Sequence, residues 1–128
     1  MERTVEQTEP RKSTSDATPM EVVAAFGTAW AEHDLEATLD LLTDDAVFDA
    51  TGPPPDGVRH VGRHAIGAAW QAIFDDTSAR FEVEDTFSAG ERVVQLWLYD
   101  WGAGHVRGVD VFRVRDGKVA EKLSYVKG

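Results

Sequence analysis

Apolar residues recur every three or four positions in three stretches between residues 19 and 77 and every second position through most of the remainder. Val23, Phe26 and Trp30 fall at i, i+3 and i+7, so on a helix they share one face. Upstream, Thr18 is a helix N-cap, Pro19 suits the first helical position and Glu21 completes a capping box. The spacing predicts a first helix of about 14 residues from Pro19. Asp34 then caps a second helix whose stripe is Leu35, Leu39 and Leu42. DDAVFDAT alternates into a short strand, and GPPPDG after it reads as a rigid loop. A third helix, from Arg63 to Thr77, puts Ile66, Trp70, Ile73 and Phe74 on one face.

Beyond it the period becomes two. FEVEDTF alternates Phe81, Val83, Asp85 and Phe87 against acidic residues, and SAGER turns the chain. RVVQLWLYDW is apolar on both faces, as expected of a central strand covered on each side. VRGVDVFRV and KVAEKLSYV are joined by Asp116-Gly117, a strong two-residue hairpin signal. Helices followed by antiparallel strands predict an α+β fold with the helices on one face of a sheet.

Composition narrows the chemistry. A chain of 128 residues fits one domain and one core. Residues 1–17 hold only Met1, Val5 and Ala17 as apolar side chains, too few to offset the entropy of ordering them, so they are expected to be a flexible tail preceding a domain over 18–128. With no cysteine, thiolate metal sites and cysteine nucleophiles are excluded. Thirteen basic against 23 acidic residues give a net charge of −10, which repels phosphate backbones and argues against nucleic acid as a partner. Apolar runs fall well short of the roughly 18 residues that span a bilayer, and the N-terminus carries no basic segment followed by an apolar one. The expectation is a soluble, cytoplasmic protein with no membrane partner.

Taken in order, DLEATLDLLTDDAVF, VGRHAIGAAW and GVDVFRVRDGKVAEKLSY resemble the nuclear transport factor 2-like superfamily, and most closely its SnoaL-like, polyketide cyclase-like branch. The likeness spans residues 19–127. It implies a cone-shaped α+β barrel in which three N-terminal helices pack on a strongly curved, mostly antiparallel sheet around a cavity, often in homodimers. Members include isomerases, cyclases, dehydratases and epoxide hydrolases, as well as proteins with no enzyme activity, so the fold alone does not assign a reaction.

Strand parity singles out one carboxylate. Val106, Gly108, Asp110, Phe112 and Val114 share a face, and the opposite face carries Arg107, Arg113 and Arg115 with Val109 and Val111. Asp110 is therefore expected to point inward. It resembles the aspartate that ketosteroid isomerases keep protonated to donate to an oxyanion. The other two groups of that machinery are absent: its oxyanion tyrosine falls on Phe26 and its general-base aspartate on Ala50. Asp49 is adjacent to Ala50, but a one-residue step in a strand turns a side chain to the other face unless a bulge intervenes.

The same resemblance assigns the cavity lining. Phe26, Trp30, Trp70 and Phe74 come from the helices and Phe48 and Ala50 from the first strand. Val93, Gln95, Trp97 and Trp101 precede Asp110 and Phe112, and Lys122, Ser124 and Val126 belong to the last strand. Such a lining suits a planar or polycyclic apolar molecule oriented by a few hydrogen bonds. Lys122 is the one obvious cation on that face. Paired with it, Asp110 stays ionised and can serve as a general base; unpaired, burial favours the neutral acid. The structural alternatives are an Asp110 that only holds the hairpin, tryptophans that are only core, and a Lys122 that reaches out from a rim.

His60 and His64 are four apart but flank Gly62 at a loop-to-helix junction, so no metal site is expected. His33, at the helix-helix turn, is expected to be solvated, and His105 lies on the strand face opposite Asp110. No serine has a nucleophile-elbow setting and no glycine-rich phosphate loop occurs. Three functions fit: a cofactor-free enzyme doing acid/base chemistry on a small apolar carbonyl compound with Asp110 as the proton-transfer group, a non-catalytic carrier of such molecules, or a homodimeric scaffold whose working surface is the Val109 and Val111 face.

Overall fold

Thr18 opens the first helix as its sequence dictates: its hydroxyl accepts from the Glu21 amide and the Glu21 carboxylate accepts from the Thr18 amide. In the computed structural model, which describes residues 17–127, this helix is α1, Pro19–Ala31. The expected flexible tail lies outside the described residues except for Ala17, which packs against the core. Asp34 caps α2, Leu35–Asp40, by accepting from the Ala37 amide. The elements that follow are β1 (Leu42–Asp49), β2 (Arg59–Val61), α3 (Arg63–Asp75), β3 (Arg80–Ala89), β4 (Arg92–Asp100), β5 (His105–Arg115) and β6 (Lys118–Val126).

The strands form one sheet in the order β2, β1, β6, β5, β4, β3. Every neighbouring pair is antiparallel except β1 with β6, which run parallel. The sheet is not closed into a barrel, and α3 follows β1 and β2 in the chain rather than preceding all the strands. Asp116 and Gly117 turn β5 into β6 with φ of 54° and 76°, the paired positive values that a two-residue hairpin of this kind requires.

One face of the sheet is covered by the helices. Val23, Phe26 and Trp30 of α1 and Ile66, Trp70 and Phe74 of α3 are buried in one cluster with Val93, Phe112 and Val119. Trp70 meets its aromatic neighbours edge to face, 5.6 Å from Phe26, 5.2 Å from Trp30 and 5.4 Å from Phe48, centroid to centroid. Such pairs add about 0.5–1.5 kcal/mol each beyond area burial. Arg63 ties the start of α3 to the start of β1 by donating to the Leu42 carbonyl at 2.6 and 3.2 Å.

Four local expectations are corrected. Leu42 belongs to β1 rather than to the α2 stripe: a six-residue helix offers little to oppose pairing of Leu42 with Val119 of β6. The segment after the proline loop includes β2, a strand too short to show alternation, held to β1 partly by an Arg59 to Asp49 ion pair at 3.0 Å. A register shift between Val83 and Asp85 inserts Glu84 as a bulge, so Phe81 and Val83 face the helices while Phe87 is turned to the outer face beside Val94. That outer face has no cover within the described residues: Leu96 is 38% and Phe87 49% exposed, so β4 is covered on one side only.

Candidate functional site

Asp110 and Lys122 face each other from adjacent strands near the middle of the covered sheet face. On β5, Asp110 sits opposite Gln95 of β4 and Ser124 of β6. Its inward parity places it beside Phe112, and the residue is only 4% exposed. A register shift in β6 between the partners of Arg113 and Val114 buries both Val119 and Ala120 and keeps Lys122 and Ser124 on the inner face. Lys122 does not reach out to a rim. It is 6% exposed, and its Nζ lies 3.2 Å from Asp110 Oδ2.

The rest of the Lys122 environment favours a cation. Nζ donates to Ser124 Oγ at 3.2 Å and lies 4.9 Å from the ring centroids of both Trp30 and Phe48. Asp110 is less completely satisfied. Its Oδ1 is buried and has no hydrogen-bond partner among the described residues, and neighbouring Gln95 donates instead to Thr86 at 3.4 Å. A buried carboxylate oxygen without a donor is costly, which makes it a position where a bound molecule can contribute a hydroxyl or N–H.

A cavity of about 310 Å³ lies against this pair. Of the residues expected to line it, Trp30, Phe48, Ala50, Trp97, Asp110, Lys122, Ser124 and Val126 do so. Phe26, Gln95 and Phe112 line a smaller pocket of about 70 Å³ that shares Trp30, Asp110 and Lys122 with it. Trp70 is fully buried core against Trp30, and Phe74 lines an adjoining cavity of about 350 Å³ that shares Trp30, Ile73, Phe81 and Tyr99 with the first. Val93 is fully buried, and Trp101 is 43% exposed and outside the lining. The exposed Thr51 and Val126 mark the rim.

Several lining residues were not named from the sequence. Tyr99 has the parity of Gln95 and Trp97, and Val106 shares the Asp110 face, so alternation alone would have found both. Ile73 shares the Trp70 and Phe74 face of α3 and Phe81 the parity of Val83, so both were on legible faces without being assigned to the cavity, whereas Ala69 carried no such signal. Burial raises the Tyr99 hydroxyl above its ordinary value, with the Asp76 charge adding to the effect, so it enters the cavity as a neutral phenol.

One close approach shapes the floor. A Cβ on Gly108 would meet the Trp97 ring and the Tyr125 carbonyl oxygen, both at 2.4 Å, so only glycine lets the indole lie across β5 next to Asp110. The remaining sequence candidates sit elsewhere. Asp49 is on the face opposite Phe48, where its hydrogen bond with Arg59 holds its carboxyl below the usual range. His60 stacks on Phe48 from β2, whereas His64 is exposed on α3. His33 is exposed but not free: its ring stacks on Phe74 and Nδ1 is 3.1 Å from the Phe74 carbonyl oxygen. No group of three or more His, Asp or Glu among the described residues is placed to hold a metal ion, and no helix is long and apolar enough to cross a membrane.

The profile of the SnoaL-like domain matches residues 23–122, which include β1 to β5, the first half of β6 and both members of the buried pair. The chain belongs to the SnoaL-like domain family. An NTF2-like protein of unknown function from Mesorhizobium loti is 37% identical, with 92% of this chain and 97% of that one aligned and a TM-score of 0.80. A proposed polyketide cyclase from Xanthomonas campestris is 26% identical over 85% of this chain and 90% of that one, with a TM-score of 0.67. A Mycobacterium tuberculosis protein solved in complex with estradiol-17β-hemisuccinate shares the fold at 24% identity, over 85% and 94% of the two chains, with a TM-score of 0.71. No curated protein matches the chain. In this SnoaL-like domain the positions that resemble the isomerase tyrosine and base are a buried Phe26 stacked edge to face on Phe112, and Ala50 in the cavity wall. Neither can move a proton.

Proposed function

We propose that the protein binds a flat, largely apolar carbonyl compound in the aromatic cavity and that Asp110 transfers a proton on it, as a cofactor-free isomerase, cyclase or hydratase would. The observation that carries this reading is the state of Asp110: buried beside a cavity, paired through one oxygen with Lys122, and without a partner on the other. Lys122 engages one carboxylate oxygen, and the open one faces the cavity without a donor, where it can accept a proton from carbon, water or hydroxyl. Lys122 and Asp110 cancel each other's charge, so the site favours uncharged ligands despite the net charge of −10. The Xanthomonas campestris relative supports the cyclase-like direction, and the steroid complex supports room for a rigid polycycle in this fold.

A carrier without catalysis is the second reading, favoured by Phe26 and Ala50 at positions where a second proton-moving group is wanted. In either case the protein acts as a cytoplasmic homodimer through the outer sheet face, where Phe87, Leu96 and Tyr125 are exposed among Val109 and Val111. The two readings separate in heavy water. Cyclic aryl ketones are incubated with protein, and loss of the proton next to the carbonyl is followed by NMR. Exchange above background that Asp110→Asn abolishes supports catalysis. Binding with exchange at background leaves the carrier, and neither binding nor exchange rejects both.

A further inference from the structure

Lys122 is the only lysine among the described residues that is buried, and it is the only amine against the cavity. We propose that it is a nucleophile: its Nζ condenses with the carbonyl carbon of a flat apolar aldehyde or ketone to form a protonated imine. The inference rests on the reading of this cavity as a ligand site and adds a covalent activity to it.

Three features of the surroundings point this way. First, a base stands at the amine, since Asp110 Oδ2 lies 3.2 Å from Nζ. Transfer of one proton across that contact turns ammonium and carboxylate into amine and carboxylic acid. Two uncharged groups cost less in a cavity sealed by an apolar ligand than two charged ones. Second, the acid so formed is placed to return the proton. The amine adds to the carbonyl carbon to give a carbinolamine, Asp110 protonates its hydroxyl, and water leaves as the C=N bond forms. Ammonium plus carbonyl thus yields iminium plus water, with no other reactant. Third, the product is a cation at the atom where the site already holds one. The Trp30 and Phe48 faces, 4.9 Å from Nζ, and the regenerated Asp110 carboxylate favour the iminium as they favour the ammonium. The iminium in turn acidifies the neighbouring C–H, leaving Asp110 beside it as the base.

The test is reductive trapping of the full chain with 2-naphthaldehyde and sodium cyanoborohydride near neutral pH, followed by peptide mapping. A lysine amine in water is almost wholly ammonium at that pH, so background labelling of lysines is slow. The expected result is one lysine adduct per chain, on Lys122, counted apart from labelling of the α-amino group, which is partly neutral at this pH, with Lys12, Lys118 and Lys127 labelled at least about tenfold less at equal time. Asp110→Asn, which keeps the amine but removes its base, should slow labelling of Lys122 without changing the other three. Absence of an adduct on Lys122, or labelling spread evenly over the four lysines, overturns the proposal on the wild-type protein, whether or not a Lys122 variant folds. Thermal shift with the same aldehyde separates the two claims. Stabilisation without trapping removes the nucleophile and leaves the ligand site standing, whereas neither stabilisation nor trapping removes both.

Discussion

Replacing Asp110 and Lys122 singly and together separates a pair kept for chemistry from one kept for stability. Both side chains are almost wholly buried and their charged atoms are 3.2 Å apart. Asp110→Leu alone leaves an ammonium in the interior with only Ser124 and two aromatic faces, and Lys122→Met alone leaves a carboxylate with no cation. Breaking such a pair from one side costs about 3–5 kcal/mol, a large part of the roughly 5–15 kcal/mol that holds a domain of this size together. At about 4 °C per kcal/mol, each single variant should melt about 12–20 °C lower. The double variant removes both desolvation penalties, and the adjoining cavity has room for the added methyl groups of leucine. It should therefore unfold within about 1 kcal/mol of wild type or above it. Urea unfolding followed by fluorescence, with similar slopes for all four proteins, measures these differences. A double variant as unstable as the worse single one would refute the reasoning and make the pair a structural element.

Further outcomes follow from other parts of the molecule. Gly108→Ala forces a Cβ against the Trp97 ring and a backbone oxygen, so it should lower the melting temperature and change the tryptophan emission, whereas Gly27→Ala, which meets nothing within 4 Å, should do neither. Arg59 holds the folded Asp49 carboxyl low, so that contribution is present above the ordinary carboxyl range and fades as pH falls through and below it; the stability gap between wild type and Asp49→Asn in unfolding titrations should be wider at pH 6 than at pH 3. Leu96→Lys places a charge on the uncovered outer face, and sedimentation should show it shifted toward monomer relative to wild type with an unchanged far-ultraviolet spectrum.

How much of this was legible in the sequence depended on whether a feature was local. The Thr18 capping box, the Asp34 cap and the Asp116-Gly117 turn each rest on a few neighbouring residues, and each is formed. Parity placed Asp110 and Phe112 on the inner face because β5 runs without a break from His105 to Arg115. Parity misled at Phe87, where the Glu84 bulge changes the count by one, since nothing in FEVEDTF marks a bulge. Leu42 was misplaced for a related reason: its partner Val119 lies far along the chain, and the parallel pairing leaves no trace in local spacing. At the site, sequence supplied the residue types and the sheet supplied the meeting. That Lys122 is buried against Trp30 and Phe48 rather than reaching a rim follows from strand register and helix placement that bring distant segments together, which no window of residues encodes.

The central claim is that the cavity is a ligand site organised by Asp110, and paired thermal shifts of wild type and Asp110→Asn against steroids, aromatic polyketides, terpenes and epoxides address it most directly. A ligand present at about 100 times its dissociation constant stabilises by about 2.7 kcal/mol, a shift of roughly 10 °C for a domain of this size. At least one class is expected to stabilise the wild type by such an amount and the variant by clearly less. Equal stabilisation of the two proteins, or none of either, would contradict the claim.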